Sequence, residues 1–388
     1  MSAKKVPGRQ ELVDMAIKEA GYNDFGDPWF FKNLDVLVPI LNDEAQLSDS
    51  GADTATGMFV RALVNRLRFQ QLLTRHPEID DEEVSVVACV AGLPRTGSTM
   101  LHRIMAASPN LTGIRWYETQ NYMPFPDEKR GNPQPRRDAG QQILNYMLQT
   151  IPDLMSIHPM DIEQPDEEVI ILGQMFSSTM MEGTFYVPSF TKWLNTQDTR
   201  VWYRDLKRIL KAMQWWDPTR AGKKWILKTP GNLIGMDGVF DSFPEAKIVM
   251  THRTPVESIP SYCSMQYSLY QMVSDTITKE MVGAFIEPRL HEWLSMFMAA
   301  RDKVGEGRFI DINYKDQLTK PVETAGRVLA EVGLPVSPEV REAMDVWAEG
   351  NKREDRAPHK YTLEDFGLTR EQVSAHYGDY INRFIDKK

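Results

Sequence analysis

Polar and basic residues interrupt the apolar pattern of the chain at residues 92–99, which read GLPRTGST. The preceding residues, 86–91, are small and β-branched, which predicts a strand buried on both faces. Ser98 or Thr99 is placed to cap a following helix. A strand, a glycine-containing loop and a helix N-terminus form an anion site, because free backbone N–H groups point to one place. Arg95 adds a permanent charge, so the stretch predicts a phosphate cradle; an ordinary turn with a surface arginine is the alternative.

Two further cations follow predicted buried strands. Lys228 ends the apolar run 224–228, and Arg253 comes just after the run 246–251. The carboxyl ends of parallel strands meet at one edge of a sheet, so Arg95, Lys228 and Arg253 are expected around one crevice. Scattered surface charges are the alternative, but they do not explain why each cation falls just after a strand. The pattern favours a ligand with more than one phosphate-like group.

The elements that must position these residues alternate between strand and helix. This alternation predicts an α/β fold, a doubly wound and mainly parallel sheet of about five strands flanked by helices. We expect a helical N-terminal extension at 1–80 and the main domain at 81–388, with a helical insert at about 137–220. The insert is rich in Met and aromatic residues, which either pack the core or line an apolar acceptor pocket.

Composition narrows the classes of partner and compartment. The formal net charge of −9 argues against nucleic acid as a partner. Cys89 and Cys263 lie in apolar runs without metal-ligand spacing, which indicates reduced core thiols and no metal site. Residues 1–11 do not read as a secretory signal, and no apolar run predicts a membrane span, so a cytoplasmic location is expected. No pattern indicates an oligomeric state.

The loop does not match the pattern of nucleoside triphosphate enzymes. Those enzymes use GxxxxGK[ST] and an acidic residue for magnesium. Here Gly92 and Gly97 have the spacing of that pattern, but Ser98 and not a lysine follows Gly97, and no strand ends in an evident magnesium-binding acidic residue. A metal-independent transfer of an anionic group is therefore favoured over a P-loop-type kinase, which stays as an alternative.

Two motifs resemble those of sulfotransferases that use 3′-phosphoadenosine 5′-phosphosulfate (PAPS). Residues 93–99 resemble the loop that binds the 5′-phosphosulfate, and residues 252–261 resemble the 3′-phosphate motif, an Arg with a Ser eight positions later. Bacterial-type members also have counterparts of residues 158–160, 165–167 and 361–368, so the resemblance covers about residues 85–385. It implies a P-loop-like fold, PAPS as the donor and 3′-phosphoadenosine 5′-phosphate as the product.

The resemblance also implies a donor site. The 5′-phosphosulfate would lie on the loop residues Arg95, Thr96, Gly97, Ser98 and Thr99. The 3′-phosphate would be held by Arg253 and Ser261, and a late basic loop would close on it through Arg353 or Arg356, although a solvated loop is the alternative there. Many relatives have Lys where this chain has Arg95, and others carry a catalytic His where Pro230 or Asn232 stands here.

The general base must then be another residue. Glu118 follows Arg95 by 23 residues, which matches a glutamate base in some sulfotransferases. It would take the proton of an acceptor hydroxyl; structural pairing with Arg115 or with a helix end is the alternative. His158 is the rival base, and Arg95 and Lys228 would stabilise the leaving oxygen. The expected acceptor is a small, fairly apolar hydroxyl compound. A non-catalytic relative that only binds the nucleotide is the remaining alternative.

Overall fold

Parallel strands form one sheet in the computed structural model, which describes residues 4–150, 155, 160–351 and 361–386. Within these ranges the strands are β1 (Val86–Gly92), β2 (Leu111–Thr112), β3 (Lys224–Lys228), β4 (Lys247–His252) and β5 (Phe309–Asn313). Their order across the sheet is β2-β3-β1-β4-β5. The predicted α/β class and the parallel sheet are confirmed. β1 is central, with β2 and β3 on one side and β4 and β5 on the other, which is where such folds bind ligands.

The two faces of the sheet pack into different apolar clusters. On β1, Cys89 and Ala91 belong to the larger cluster, whereas Ala88 and Val90 belong to a second cluster. Side chains alternate between the faces of a strand, so both faces of β1 are covered. This burial explains why the strand reads as an unbroken apolar run.

The N-terminal extension consists of three helices, α1 (Arg9–Ala20), α2 (Phe31–Glu44) and α3 (Asp49–Arg75). The Ser48 hydroxyl caps the start of α3, since it accepts a hydrogen bond of 3.0 Å from the Gly51 N–H. Leu63 and Leu67 on α3 lie in the same apolar cluster as Cys89 of the sheet. The extension is therefore a helical layer on the shared core.

The insert between β2 and β3 is helical, as predicted. It contains α5 (Trp116–Gln120), α6 (Gln134–Thr150), α7 (Val169–Gly173), α8 (Met180–Thr184), α9 (Pro188–Leu194) and α10 (Arg200–Trp216). Two short helices, α7 and α8, stand here in place of one continuous helix, because Phe176 between them has a φ of +55°. The Phe176 ring is buried 5.3 Å from the ring of Phe59 on α3, so packing across the core accompanies the break.

Helices also follow β1 and each later strand. They are α4 (Ser98–Ala106), α11 (Met236–Ser242), α12 (Pro255–Tyr270), α13 (Lys279–Val304), α14 (Tyr314–Thr319), α15 (Pro321–Glu331), α16 (Pro338–Glu349), α17 (Arg370–His376) and α18 (Gly378–Tyr380). The connections after β1 and β4 lead directly into α4 and α12 at the carboxyl edge of the sheet. The predicted basic residues therefore lie at one edge.

Candidate active site

A cavity of about 1170 Å³ opens at the carboxyl edge of the sheet. One end is lined by Arg95, Gly97, Ser98 and Thr99 of the β1–α4 loop and by Arg253. Its other walls come from α3, the insert and α12, and they carry many apolar side chains, among them Met58, Ile143, Met147, Ile170, Met180, Met265 and Leu269. The cavity is therefore cationic at the strand ends and mainly apolar along its other walls.

The loop after β1 holds a conformation that two glycines allow. Gly92 has a φ of +141°, and a Cβ there would lie 2.3 Å from the Thr251 hydroxyl oxygen. Gly97 has a φ of +85°, and a Cβ there would lie 2.7 Å from Nε2 of Gln317. Gly97 is also the residue that precedes α4. Since the first N–H groups of a helix have no helical acceptor, the loop presents free donors beside the cavity.

Thr96 differs from the other loop residues predicted to bind the donor. Its hydroxyl is buried, lies 2.6 Å from the Thr251 hydroxyl and donates to the Leu93 carbonyl at 2.6 Å. Thr96 does not belong to the lining of the cavity, whereas Gly97, Ser98 and Thr99 do. The Thr96 side chain therefore stiffens the loop, and any contribution of Thr96 to an anion would come from its backbone.

The two predicted phosphate motifs meet at one point. Nε of Arg95 donates a 3.0 Å hydrogen bond to the hydroxyl of Ser261, and Nη1 of Arg253 donates to the Arg95 carbonyl at 2.9 Å. The Arg253 guanidinium lies 4.4 Å from the ring centre of Tyr314 and pairs with Glu257 at 3.1 Å. Ser261, eight positions after Arg253, lies on the second turn of α12. The guanidinium groups of Arg95 and Arg253 and the hydroxyl of Ser261 thus belong to one hydrogen-bonded set, and such groups are suited to binding phosphate oxygens.

Lys228 approaches the loop from behind the cavity wall. Its side chain is fully buried, and its ammonium donates to the Thr99 hydroxyl at 3.2 Å and pairs with the Glu167 carboxylate. The second oxygen of Glu167 accepts a hydrogen bond of 3.2 Å from Thr229, and Glu167 lines the cavity. The structure thus places Lys228 beside the loop and adds a carboxylate, Glu167, that the sequence reasoning did not assign to the site.

A second carboxyl group, Glu168, lies behind Glu167. It accepts hydrogen bonds from the Lys228 N–H at 2.8 Å and from the Asn232 amide at 2.9 Å. Burial raises the pKa of Glu168 to about 7. Asn232 also accepts from the Tyr203 hydroxyl at 2.6 Å. Asn232, which stands where relatives carry His, is therefore fixed between a tyrosine and a carboxyl group.

Glu118 does not line the cavity. Its carboxylate is buried and accepts from Nη2 of Arg220 at 2.5 and 2.7 Å, and from the Arg115 N–H at 2.8 Å. Burial alone would raise the pKa of Glu118, but the charges of Arg220 and Arg115 hold that pKa below its usual range. A catalytic role for Glu118 stays a prediction, and this geometry favours the structural alternative, a carboxylate paired at the start of α5.

Three other predicted site residues lie outside the described ranges. These residues are His158, Arg353 and Arg356. The roles expected for them as a rival base and as a closing basic loop stay predictions. Met160 and Tyr361, at the borders of those segments, line the cavity.

The described ranges contain no group of three or more His, Cys, Asp or Glu side chains arranged to bind a metal ion. Over the same ranges, no helix has the length and apolar character needed to cross a membrane. Cys89 and Cys263 are buried free thiols. Burial raises the pKa of the Cys263 thiol, so it stays protonated at neutral pH.

The fold and its sequence are similar to those of mycobacterial proteins. The crystal structure of sulfotransferase STF1 from Mycobacterium tuberculosis H37Rv matches with a TM-score of 0.82 and 28% identity, covering 97% of this chain and 100% of that one. Sulfotransferase STF9 from Mycobacterium avium shares the fold, with a TM-score of 0.87 and 21% identity over 99% of this chain and 98% of that one.

A curated relative and a family model agree with these matches. The omega-hydroxy-beta-dihydromenaquinone-9 sulfotransferase Stf3 of Mycobacterium bovis is 22% identical in an alignment over 324 residues that covers 76% of this chain and 74% of Stf3. The model of the sulfotransferase family matches residues 88–338, a segment that runs from β1 to the start of α16 and holds Arg95, Lys228 and Arg253. This chain belongs to the sulfotransferase family.

Proposed function

We propose that this enzyme transfers a sulfuryl group from PAPS to a hydroxyl of a small, fairly apolar acceptor. The observation that carries the proposal is the contact between Arg95, Ser261 and Arg253 at one end of a cavity with mainly apolar walls. A donor with two separate phosphate-like groups needs two anion-binding sites. The mainly apolar remainder of the cavity is suited to binding an apolar acceptor. The relative Stf3, whose name specifies an omega-hydroxy-dihydromenaquinone, is consistent with an apolar hydroxyl acceptor.

The donor-binding residues follow from this arrangement. Arg95, Ser98, Thr99 and the free N–H groups of the loop would hold the 5′-phosphosulfate, while Arg253 and Ser261 would hold the 3′-phosphate. When bound, PAPS supplies the sulfuryl group and leaves as 3′-phosphoadenosine 5′-phosphate. Arg95 would stabilise the negative charge on the leaving phosphate oxygen, and Lys228 would support it through Thr99, which its ammonium contacts at 3.2 Å. Removing one such donor costs about 3 kcal/mol of activation free energy in other enzymes.

A carboxylate must accept the proton of the acceptor hydroxyl, and Glu167 meets this need better than Glu118. Three carboxylates line the described part of the cavity, namely Asp53, Asp166 and Glu167. Asp53 pairs with Lys4 at 2.5 Å where both side chains are exposed, and the buried Asp166 lies 3.4 Å from Arg103. Glu167 is joined to the donor loop through Lys228 and keeps 18% of its side chain exposed. We therefore place the general base at Glu167.

The first experiment tests the donor. Wild type should be stabilised against heat by 3′-phosphoadenosine 5′-phosphate and not by ATP with magnesium. Arg253→Ala should lose most of that stabilisation, because it removes one of the two guanidinium groups of the proposed phosphate-binding site. Stabilisation by ATP and magnesium alone would refute the sulfotransferase donor and support the kinase alternative, and an unchanged nucleotide affinity of Arg253→Ala would refute its role.

The second experiment separates catalysis from binding. Wild-type enzyme is incubated with labelled PAPS and a panel of phenols, sterols and long-chain alcohols, and labelled products are counted. Transfer to at least one hydroxyl class is expected, with the apolar members favoured. Tight nucleotide binding without transfer to any class would support the non-catalytic alternative instead.

A further inference from the structure

One edge of α3 forms part of the cavity wall and carries a cation. Asp53, Thr54, Gly57, Met58 and Arg61 recur at helical spacing and all line the cavity. The Arg61 side chain also borders a small adjoining recess beside Gln120, Ile170 and Met180. Among the described residues, none forms a hydrogen bond or an ion pair with Arg61.

Apart from Arg95, which donates to the Ser261 hydroxyl, the other charged side chains of the described wall have opposite charges beside them. Asp53 pairs with Lys4, Asp166 with Arg103, and Glu167 with Lys228. At the strand ends, Arg253 pairs with Glu257. The Arg61 guanidinium is thus a surplus positive charge in an apolar part of the wall.

Arg61 is half-buried, so its charge is partly shielded from water. Burial lowers the pKa of Arg61, while Glu19 on α1 opposes this effect through space and without contact. Buried charges are normally paired, since an unpaired one costs free energy. A cavity-lining guanidinium with no partner among the described residues is therefore placed to receive an anion from the cavity.

The position of Arg61 identifies which ligand supplies that anion. Its neighbours Met58, Ile170 and Met180 come from the extension and the insert, whereas the cations assigned to the donor phosphates follow β1, β3 and β4. We infer that Arg61 binds a carboxylate on the acceptor, so that the preferred acceptors are amphipathic hydroxy acids with an apolar body. The inference deepens the proposed function and rests on it. The planar fork of a guanidinium matches a carboxylate in two parallel hydrogen bonds.

Direct binding tests the subsite without any need for turnover. Dodecanoate and 1-dodecanol share an apolar chain and differ in the head group, and their affinities for the full chain are measured by calorimetry below their aggregation limits. Wild type should bind dodecanoate about tenfold more tightly than the alcohol, the effect of one charged hydrogen-bonded contact. Arg61→Gln and Arg61→Met should bind both probes about equally. Arg75→Gln, which removes an exposed charge from the same helix, should behave as wild type.

Equal affinities of wild type for the two probes would overturn the inference, as would an acid preference that survives in Arg61→Gln and Arg61→Met. Removing an unpaired desolvated charge should not lower Tm, so both variants are expected to fold; a Tm fall in both would itself show that Arg61 serves the fold. The proposed function has a separate readout, the binding of 3′-phosphoadenosine 5′-phosphate. A turnover assay with labelled PAPS gives a further check. In wild type, kcat/KM for 12-hydroxydodecanoate should be about tenfold higher than for its methyl ester, mainly because KM is lower. In the two Arg61 variants the two compounds should have similar kcat/KM values.

Discussion

Glu118→Gln and Glu167→Gln form a matched pair of substitutions, because each removes the charge of a carboxylate that pairs with a buried cation. Arg220 is 1% exposed and Lys228 is 0% exposed, so each variant leaves a desolvated cation with a neutral partner. Breaking a buried pair in this way costs about 3 to 5 kcal/mol. Asp217 stays 3.3 Å from Arg220, and a glutamine oxygen still accepts one hydrogen bond, so we expect the lower figure for Glu118→Gln.

For Glu118→Gln, a loss of about 3 kcal/mol in the free energy of unfolding corresponds to a Tm lower by roughly 6 °C, at about 2 °C per kcal/mol for a chain of this size. This loss should depend on pH. Because the pKa of Glu118 is held below its usual range, its charge stabilises the fold above about pH 4.3, and that contribution disappears as the pH falls further. The difference in stability between wild type and Glu118→Gln should therefore narrow in acid.

Turnover per folded molecule then distinguishes the two carboxylates. Losing a general base costs about 10²-fold to 10⁴-fold in rate, so Glu167→Gln should lose kcat by that range while Glu118→Gln stays within about threefold of wild type. The assay is single-turnover transfer from labelled PAPS at a temperature where both variants are folded by circular dichroism. A 10²-fold loss in Glu118→Gln with Glu167→Gln near wild type would refute the reasoning and restore Glu118 as the base.

Two further predictions follow from the loop and from the buried carboxyl group behind it. Gly97→Ala should lower both Tm and the affinity for 3′-phosphoadenosine 5′-phosphate, since its Cβ would meet Gln317 at a φ of +85°; Gly333→Ala, with a φ of +80° and no neighbour within 4 Å, controls for backbone strain and should leave nucleotide affinity unchanged. Glu168 has a pKa raised to about 7, so its protonated form stabilises the fold in acid, and stability should fall as the pH rises through 7. Glu168→Gln should remove that fall, on the order of 3 kcal/mol between about pH 4 and 8 in denaturation curves, and an unchanged pH dependence would contradict the assignment.

The sheet and its cationic edge could be predicted because their signals are local. β1 and β4 are uninterrupted apolar runs, and Arg95 and Arg253 follow them within a few residues. Parallel topology then brings the strand ends together. That rule and the family resemblance placed Arg95 and the Arg253–Ser261 motif at one crevice; the contact of Arg95 with Ser261, which joins positions 166 residues apart, is a finding of the structure.

The roles of the carboxylates near the site could not be predicted in the same way, because the distance between two residues in the sequence does not give the direction of a side chain. Glu118 lies at a suitable spacing from Arg95, but on α5 it is Trp116 and Gln120 that line the cavity, whereas Glu118 pairs with Arg220. Glu167 meets Lys228 from 61 residues away, through a loop conformation that no local pattern encodes. The position of Glu167 within the motif at 165–167 was the one available signal.

Different segments of the chain line the two ends of the cavity. The segment that matches the family model, residues 88–338, contains the residues assigned to the donor, whereas α3 (Asp49–Arg75) lies before it. Yet α3 contributes Met58 and Arg61 to the wall, and Phe59 to the packing of the insert against Phe176. Because separate parts of the chain build the two ends, substitutions at the α3 edge should change the choice of acceptor and leave the affinity for 3′-phosphoadenosine 5′-phosphate in place. The surplus charge of Arg61 makes that edge the part of the wall where a single residue is expected to decide between an acidic and a neutral acceptor.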